Sequence, residues 1–406
     1  MKTLRLKKKE DRRIRRGHPW AFSNEFEEIP RGLIPGEIVR VVDYAGNIVG
    51  EGYANPHTLI AVRLLTRGEE PFTTDLLKKR IEDAKALRER FYPDRRGPGR
   101  SRSAARNSWR AVYSESDLLP GLIVDKYGGW LSVQVLTQGM ERLFPDVLDA
   151  LKEIYCPAGI VLRNDSKLRA LEGLQTEKRV VYGEYAGRTE IELDGLRMRA
   201  DLLEGQKTGF FLDQADNYSI LENISRGADV LDLFCHTGAW GISALISGAK
   251  GAAFVDSSES ALAMAGENAE LNGFNSRTEF IREDALKVVK RFADEGRKFD
   301  VVVADPPAFI KSRQKIAEGL RGYRDLNARC LRLVRPGGFM ITCSCSHHLS
   351  RENFLEMLRS SAAAAGRPAS GRAARIIEMR SQAKDHPILL AAPETEYLKC
   401  ALVQAG

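Results

Sequence analysis

The chain has 406 residues, 43% hydrophobic and 29% charged, with a formal net charge of +7. That length suggests two or three domains of roughly 100–200 residues each. There is no run of about 18 apolar residues, which argues against a membrane-spanning helix, and the basic N-terminus lacks the apolar stretch of a secretory signal.

The positive charge is unevenly placed. Lys7, Lys8, Lys9, Arg12, Arg13, Arg15 and Arg16 crowd the N-terminus, and Arg95, Arg96, Arg100, Arg102 and Arg106 crowd a second stretch. Such clusters can neutralise phosphates; taken singly, each could instead be a solvated face or a flexible tail. The six cysteines, Cys156, Cys235, Cys330, Cys343, Cys345 and Cys400, form no C-x-x-C pair. This is not a secreted disulfide framework, so a reducing cytoplasm is the expected compartment.

Residues 36–66 alternate apolar and polar side chains between turn formers, which predicts a small module of short strands. Asp75–Phe91 places Leu77, Ile81, Ala84, Leu87 and Phe91 on one helical face. Pro93–Ser108, rich in Gly, Ser and Arg, predicts a loop. Residues 109–200 predict strands, a helix carrying Phe144, Val147, Leu148, Leu151 and Tyr155, and further strands with an Asp194–Gly195 hairpin turn.

After about residue 200 apolar strands alternate strictly with helices, which predicts a parallel sheet covered on both faces. "DVLDLFC", "GAAFVD", "TEFIRED", "FDVVVAD" and "GFMITCS" are the strands. Ser361–Arg375 is low in complexity and predicts a loose connection; "RIIEMR" and "YLKCALVQ" predict edge strands, the second suited to an antiparallel place.

Ligands of open α/β sheets bind outside the carboxyl ends of the strands. The first strand of the C-terminal half ends in "DLFCHTGAWG", where Gly238 and Gly241 would let backbone approach a ligand. The spacing is not G-x-G-x-x-G, which disfavours a pyrophosphate. The next two strands end at Asp256 and Asp284. Each carboxylate alone could be a helix cap. Together they suit a nucleoside without phosphate, Asp256 accepting the ribose hydroxyls and Asp284 meeting the base edge.

At these residues the chain resembles the class I S-adenosylmethionine-dependent methyltransferases. "EGQKTGFFLDQADN", "DLFCHTGAWG", "ADPPAF", "TCSCSHHLSRENF" and "DHPILLAAPETEYLK" are similar to the ribosomal RNA large subunit methyltransferase I family, whose members make 5-methylcytosine. "RRIRRGHPWAFSNE" with "GEGYANPHTLIAVRLL" resembles that family's PUA RNA-binding domain, and "ESDLLPGLIVDKYG" its central domain. Two positions depart: Ala215 and Tyr218 stand where the family usually carries arginine.

The resemblance implies an α/β fold: a small β-rich PUA domain over 1–74, a central α+β domain over 75–195, and a Rossmann-like seven-stranded sheet with one antiparallel strand over 196–406. It implies S-adenosylmethionine as cofactor, held by Phe211, Asp213, Asp232, Phe234, Thr237, Gly238, Asp256, Ser257, Asp284, Ala285 and Asp305. It implies ribosomal RNA as substrate, met by Lys7, Arg12, Arg15, Arg16, Pro306, Pro307 and Phe309. A homodimer is a further expectation.

Carbon 5 of cytosine is a poor nucleophile. A thiolate adding at carbon 6 makes it enamine-like, so the chemistry needs an activated cysteine and a base drawn out of its stack. Asp305 ends its strand before Pro306 and Pro307, which force a stiff loop; it could bond the ring while Phe309 stacks on it. In a strand Cys343 and Cys345 would share a side, Cys345 nearer the carboxyl end and Cys343 deeper, as a small hydrophobe. A zinc site needs four tetrahedral ligands, and Cys-x-Cys in one strand is an awkward donor set, so no metal is expected. The family's cysteine falls on Cys345 when "SRENF" is aligned. His347, His348 and His386 are candidate proton handlers. Two alternatives stay open: methylation of a guanine nitrogen, with structural cysteines, and a catalytically weak RNA-binding assembly factor.

Overall fold

The computed structural model describes residues 1–93, 106–366 and 373–406. It forms two compact units, one of residues 1–194, 200–212 and 384–395, the other of 195–199, 213–383 and 396–406.

The first unit contains two five-stranded sheets. In the first sheet the strands lie in the order Lys2–Arg5, Glu37–Val42, Ile48–Ala54, Ile60–Leu64, Trp20–Phe22, which accounts for the strands expected over 36–66. Leu4, Leu6, Ile14, Val39, Val41 and Val62 form its core. Ile14 anchors the short helix Asp11–Arg15, so the basic cluster is ordered rather than a tail. Its charges are partly committed. Arg13 pairs with Glu25 at 2.7 Å, Arg15 with Asp11 at 2.5 Å and Asp43 at 2.6 Å, and Lys7 donates to the Asn24 carbonyl at 2.9 Å. Arg12 and Arg16 are exposed.

The second sheet runs Glu177–Tyr182, Gly159–Asn164, Trp130–Val135, Leu122–Tyr127, Ser108–Tyr113. Helices Thr74–Phe91 and Gln138–Tyr155 pack with it, capped by Thr73 and Thr137. Leu77, Ile81 and Ala84 are buried as expected, but Phe91 is 48% exposed and Arg88 is fully buried. Arg88 can be buried because its donors are used: it pairs with Asp117 at 2.6 and 2.7 Å and donates to the carbonyls of Arg110 and Asp385. Asp385 in turn accepts the Arg110 N–H at 2.7 Å, which ties residues 384–395 into this unit. The loop expected over 93–108 lies mostly outside the described residues, with Arg95, Arg96, Arg100 and Arg102. It ends early, since Arg106 bridges to Leu193 and Ser108 begins a strand. Asp194 and Gly195 take φ of 52° and 94°, the left-handed backbone of the turn expected there.

The second unit holds a seven-stranded sheet. Its strands are β1 (Asp229–Leu233), β2 (Gly251–Asp256), β3 (Thr278–Arg282), β4 (Phe299–Ala304), β5 (Val334–Ser344), β6 (Ala374–Arg380) and β7 (Lys399–Ala405). The order is β3-β2-β1-β4-β5-β7-β6. β7 alone runs antiparallel, to both β5 and β6. "YLKCALVQ" is therefore an interior strand, not the edge strand expected. Among the described residues its α-helices are α1 (Ala239–Ile246), α2 (Glu259–Leu271), α3 (Ala285–Asp294), α4 (Ile316–Leu333) and α5 (Arg351–Ala365). Ser258, Asp284 and Ser350 cap α2, α3 and α5. α5 runs through Ala365, into the stretch expected to be a loose connection, because its alanines continue the helix. Among the described residues no helix is long and apolar enough to cross a membrane.

Candidate active site

Within the second unit Phe234, Thr237 and Gly238 follow β1, Asp256 ends β2 with Ser257 after it, Asp284 follows β3, Asp305 follows β4 and Cys345 follows β5. β1 ends at Leu233, and the chain then turns through Phe234, His236 and Gly238, with φ of 60°, 48° and 88°. A non-glycine residue in this region costs of order 1–3 kcal/mol and persists only where its neighbours hold it. Here the Cys235 N–H donates to Val255 at 3.0 Å and the His236 N–H to Asp256 at 2.9 Å. Gly241 has a different role from the one its motif suggested. A Cβ there would lie 2.3 Å from the Phe254 ring, so the glycine lets α1 pack on β2.

Asp232, in β1, is fully buried. One carboxylate oxygen accepts the Gly241 N–H at 2.9 Å and the other has no hydrogen-bond partner. Burial, aided by the charges of Asp305 and Asp256, pushes its pKa up to about 8, and the Gly241 N–H offsets only part of that. Asp256 ends β2, its two oxygens accepting the N–H groups of His236 and Ser258 at 2.9 Å each. Ser257 is exposed, and Thr237 is buried with its carbonyl accepting from Asn268 at 3.0 Å. Asp284 caps α3, accepting the Lys287 N–H at 3.1 Å, and Ala285 behind it is buried.

Asp305 follows β4. One of its oxygens accepts from Gln214 Nε2 at 2.9 Å and Trp240 Nε1 at 3.1 Å. Neither partner was singled out from the sequence, although each lies inside a motif quoted above. Asn217 holds the Gln214 amide at 2.7 Å, and the Tyr397 hydroxyl donates to Asp213 at 2.6 Å. Ala215 and Tyr218 are buried, and Tyr218 packs edge-on to Trp240 at 4.9 Å. The Tyr218 hydroxyl is pushed well above its ordinary range by burial and by the charges of Asp305, Asp213 and Asp232. Phe211 belongs to the first unit, where Lys207 lies 4.4 Å from its ring centroid.

Pro306 is buried and Pro307 exposed. The loop they begin is pinned to α4: the Phe309 ring packs on Tyr323 at 4.6 Å, and its N–H meets the Tyr323 hydroxyl at 3.3 Å. The Ile310 N–H donates to Ser346 Oγ at 3.2 Å. β5 carries Cys343, fully buried opposite Cys400, and burial raises its thiol well above the ordinary range. β5 stops at Ser344, so Cys345 lies one residue past the strand and is partly exposed. His347 stacks on Tyr397 at 5.2 Å and His348 is exposed. His386 lies in the first unit, its Nδ1 2.7 Å from Asp385. Among the described residues no three His, Cys, Asp or Glu side chains gather as metal ligands.

Residues 4–67 match a PUA-like domain, and residues 175–366 match an S-adenosylmethionine-dependent methyltransferase domain. A solved S-adenosylmethionine-dependent methyltransferase from Streptococcus mutans shares the fold, with a TM-score of 0.82 over 100% of both chains at 18% identity. S-adenosylmethionine is the cofactor of this chain. The residues fit it: the sulfonium and ammonium of that molecule are cationic, and Asp232 offers a buried carboxylate oxygen with no protein partner. Ribosomal RNA large subunit methyltransferase I of Tolumonas auensis is 35% identical over 99% of both chains, and that of Vibrio cholerae 35% identical over 97% of both. With identity of that extent from the basic N-terminus to the last strand, the chain belongs to the ribosomal RNA large subunit methyltransferase I family.

Proposed function

We propose that the chain methylates carbon 5 of a cytosine in large-subunit ribosomal RNA, with Cys345 as covalent nucleophile and Asp305 as the carboxylate that meets the ring. The relatives' names and the PUA-like domain support RNA as substrate. One observation carries the chemistry. Cys345 is only partly buried, at the carboxyl end of β5, while the other cysteines of the second unit, Cys235, Cys330, Cys343 and Cys400, are buried. β5 pairs with β4, so Cys345 and Asp305 each follow the end of adjacent parallel strands.

The Cys345 thiolate adds to carbon 6, and the negative charge moves toward carbon 5. When bound, S-adenosylmethionine would supply the methyl group that carbon 5 takes, its sulfonium carbon–sulfur bond breaking to leave a neutral thioether. A base removes the proton from carbon 5, and the thiolate leaves as the ring regains its double bond. Asp305, held by Gln214 and Trp240, meets ring nitrogen 3 or the exocyclic amine. Pro306 and Pro307 keep its loop stiff, and Phe309 offers a partly exposed ring beside it. Lys7, Arg12, Arg15 and Arg16 contribute phosphate contacts. All four stand exposed, and Arg15 is in addition held by two carboxylates.

Asp232 meets the cofactor's cationic end and Asp256 its ribose, with Asp213, Phe234, Thr237, Gly238, Ser257, Asp284 and Ala285 forming the rest of the second unit's contribution. Two charge-assisted hydrogen bonds at Asp256 are worth roughly 1.5–3 kcal/mol each. Asp256→Ala therefore weakens cofactor binding at least about tenfold while the fold persists. Calorimetry that returns wild-type affinity removes Asp256 from the site.

The function itself is tested by transferring labelled methyl groups to ribosomal RNA and identifying the nucleoside by mass spectrometry. 5-Methylcytidine is the expected product; methylguanosine in its place overturns the reading.

A further inference from the structure

Lysine is rarely buried without an acidic partner. Lys399, the first residue of β7, is 6% exposed, and among the described residues it makes no ion pair. It stands opposite Ser344 in the β5–β7 register, one residue from Cys345. Its ammonium donates to the Ser346 carbonyl at 2.9 Å and the Tyr397 carbonyl at 2.8 Å. Those two bonds hold the ammonium at the Ser346 carbonyl, one residue past the cysteine. A β7 residue that served only to fill the sheet would be apolar, like its neighbours Cys400, Ala401, Leu402 and Val403.

We propose that Lys399 is a positioning residue for the Cys345 nucleophile: its ammonium, anchored by the Ser346 and Tyr397 carbonyls, is the fixed positive charge that favours the thiolate. The thiol proton leaves to solvent water, and the anionic sulfur remains beside the ammonium. This rests on the reading of Cys345 as nucleophile. Electrostatics agree with the geometry. Burial lowers the Lys399 pKa to about 8, while Glu396 and Cys345 favour its charged form. A buried ammonium short of negative charge gains most from a thiolate nearby. Tyr323, from α4, bears on the same sulfur, and Glu396 on the same ammonium. Asp305 follows the adjacent strand β4, His347 and His348 follow in the same loop, Asp213 accepts from the Tyr397 hydroxyl, and Cys343 and Cys400 stand opposite each other in β5 and β7. All of these are common to wild type and variant, so the comparison below isolates Lys399.

The test reads the thiol directly. Alkylation of Cys345 by iodoacetamide in the full chain is followed by peptide mass spectrometry as a function of pH, for wild type, Lys399→Met and Lys399→Arg. The expected result is a midpoint raised by about one to three pH units in Lys399→Met, with Lys399→Arg returning toward wild type. An unchanged midpoint in a folded Lys399→Met protein overturns the proposal. If Lys399→Met does not fold, the wild-type midpoint decides: below the ordinary thiol value of about 8.5 it supports the proposal, and at or above that value it overturns it. Turnover by Cys345→Ala bears on the nucleophile reading alone, so the two failures are distinguishable.

Discussion

Cys345→Ala abolishes methyl transfer and, with it, a denaturant-resistant complex with RNA carrying 5-fluorocytosine at the target. Without the thiolate, carbon 5 keeps its poor nucleophilicity, and loss of an obligatory nucleophile lowers turnover by roughly three orders of magnitude or more. Fluorine at carbon 5 removes the proton that must leave, so the wild-type adduct persists after methyl transfer and survives denaturing electrophoresis. Cys343→Ala is the control. Its side chain is fully buried against β7, so its removal costs about 0.5–3 kcal/mol of stability and leaves both complex and turnover in place. Near-normal turnover by Cys345→Ala ends the covalent mechanism and favours the guanine-nitrogen alternative.

The difference between these two cysteines was legible in the sequence, because strand direction and the place of Ser344 fix which thiol lies deeper. The same holds for the sheet itself. Apolar strands alternating with capped helices, and a strand-end carboxylate at Asp256, follow from local pattern and turn chemistry. What pattern could not reach is the set of side chains that hold the acids. Gln214 and Asp305 are 91 residues apart, Trp240 and Asp305 65, and Asp213 and Tyr397 184. No local periodicity encodes such pairs; they exist only once β4 and β7 take their places. The position of β7 is itself an example: "YLKCALVQ" reads as a strand, but its insertion between β5 and β6 is set by tertiary pairing. The same limit hid Lys399, which looks like an ordinary surface lysine until its strand is interior. Arg88 shows it in the first unit, where a helix pattern put Phe91 inward and the Asp117 carboxylate drew an arginine in.

Asp232→Asn is expected to make the protein more stable and a poorer binder of its cofactor. The carboxyl of Asp232 is held up to about 8 by burial and by its acidic neighbours, against about 3.9 in an unfolded chain. Between those values the folded state holds a proton that the unfolded state has released. Stability from this group is therefore fully present below about pH 4 and is lost as pH rises toward 8, at a slope of at most about 1.4 kcal/mol per pH unit. Asparagine keeps an acceptor for the Gly241 N–H and carries no charge at any pH. The variant should match wild type most closely in acid and exceed it by a few kcal/mol near pH 8.5, so the gap in urea midpoint widens with pH. Cofactor affinity should move the other way. A cationic ligand that meets the Asp232 carboxylate loses a charge-assisted contact, worth roughly 1.5–3 kcal/mol, or at least about tenfold in Kd. Calorimetry at pH 8.5 reads the affinity and urea titration from pH 6 to 8.5 reads the stability. A variant no more stable than wild type at pH 8.5 shows that Asp232 is ionised without strain, and an unchanged Kd shows that the cofactor's cationic end lies elsewhere.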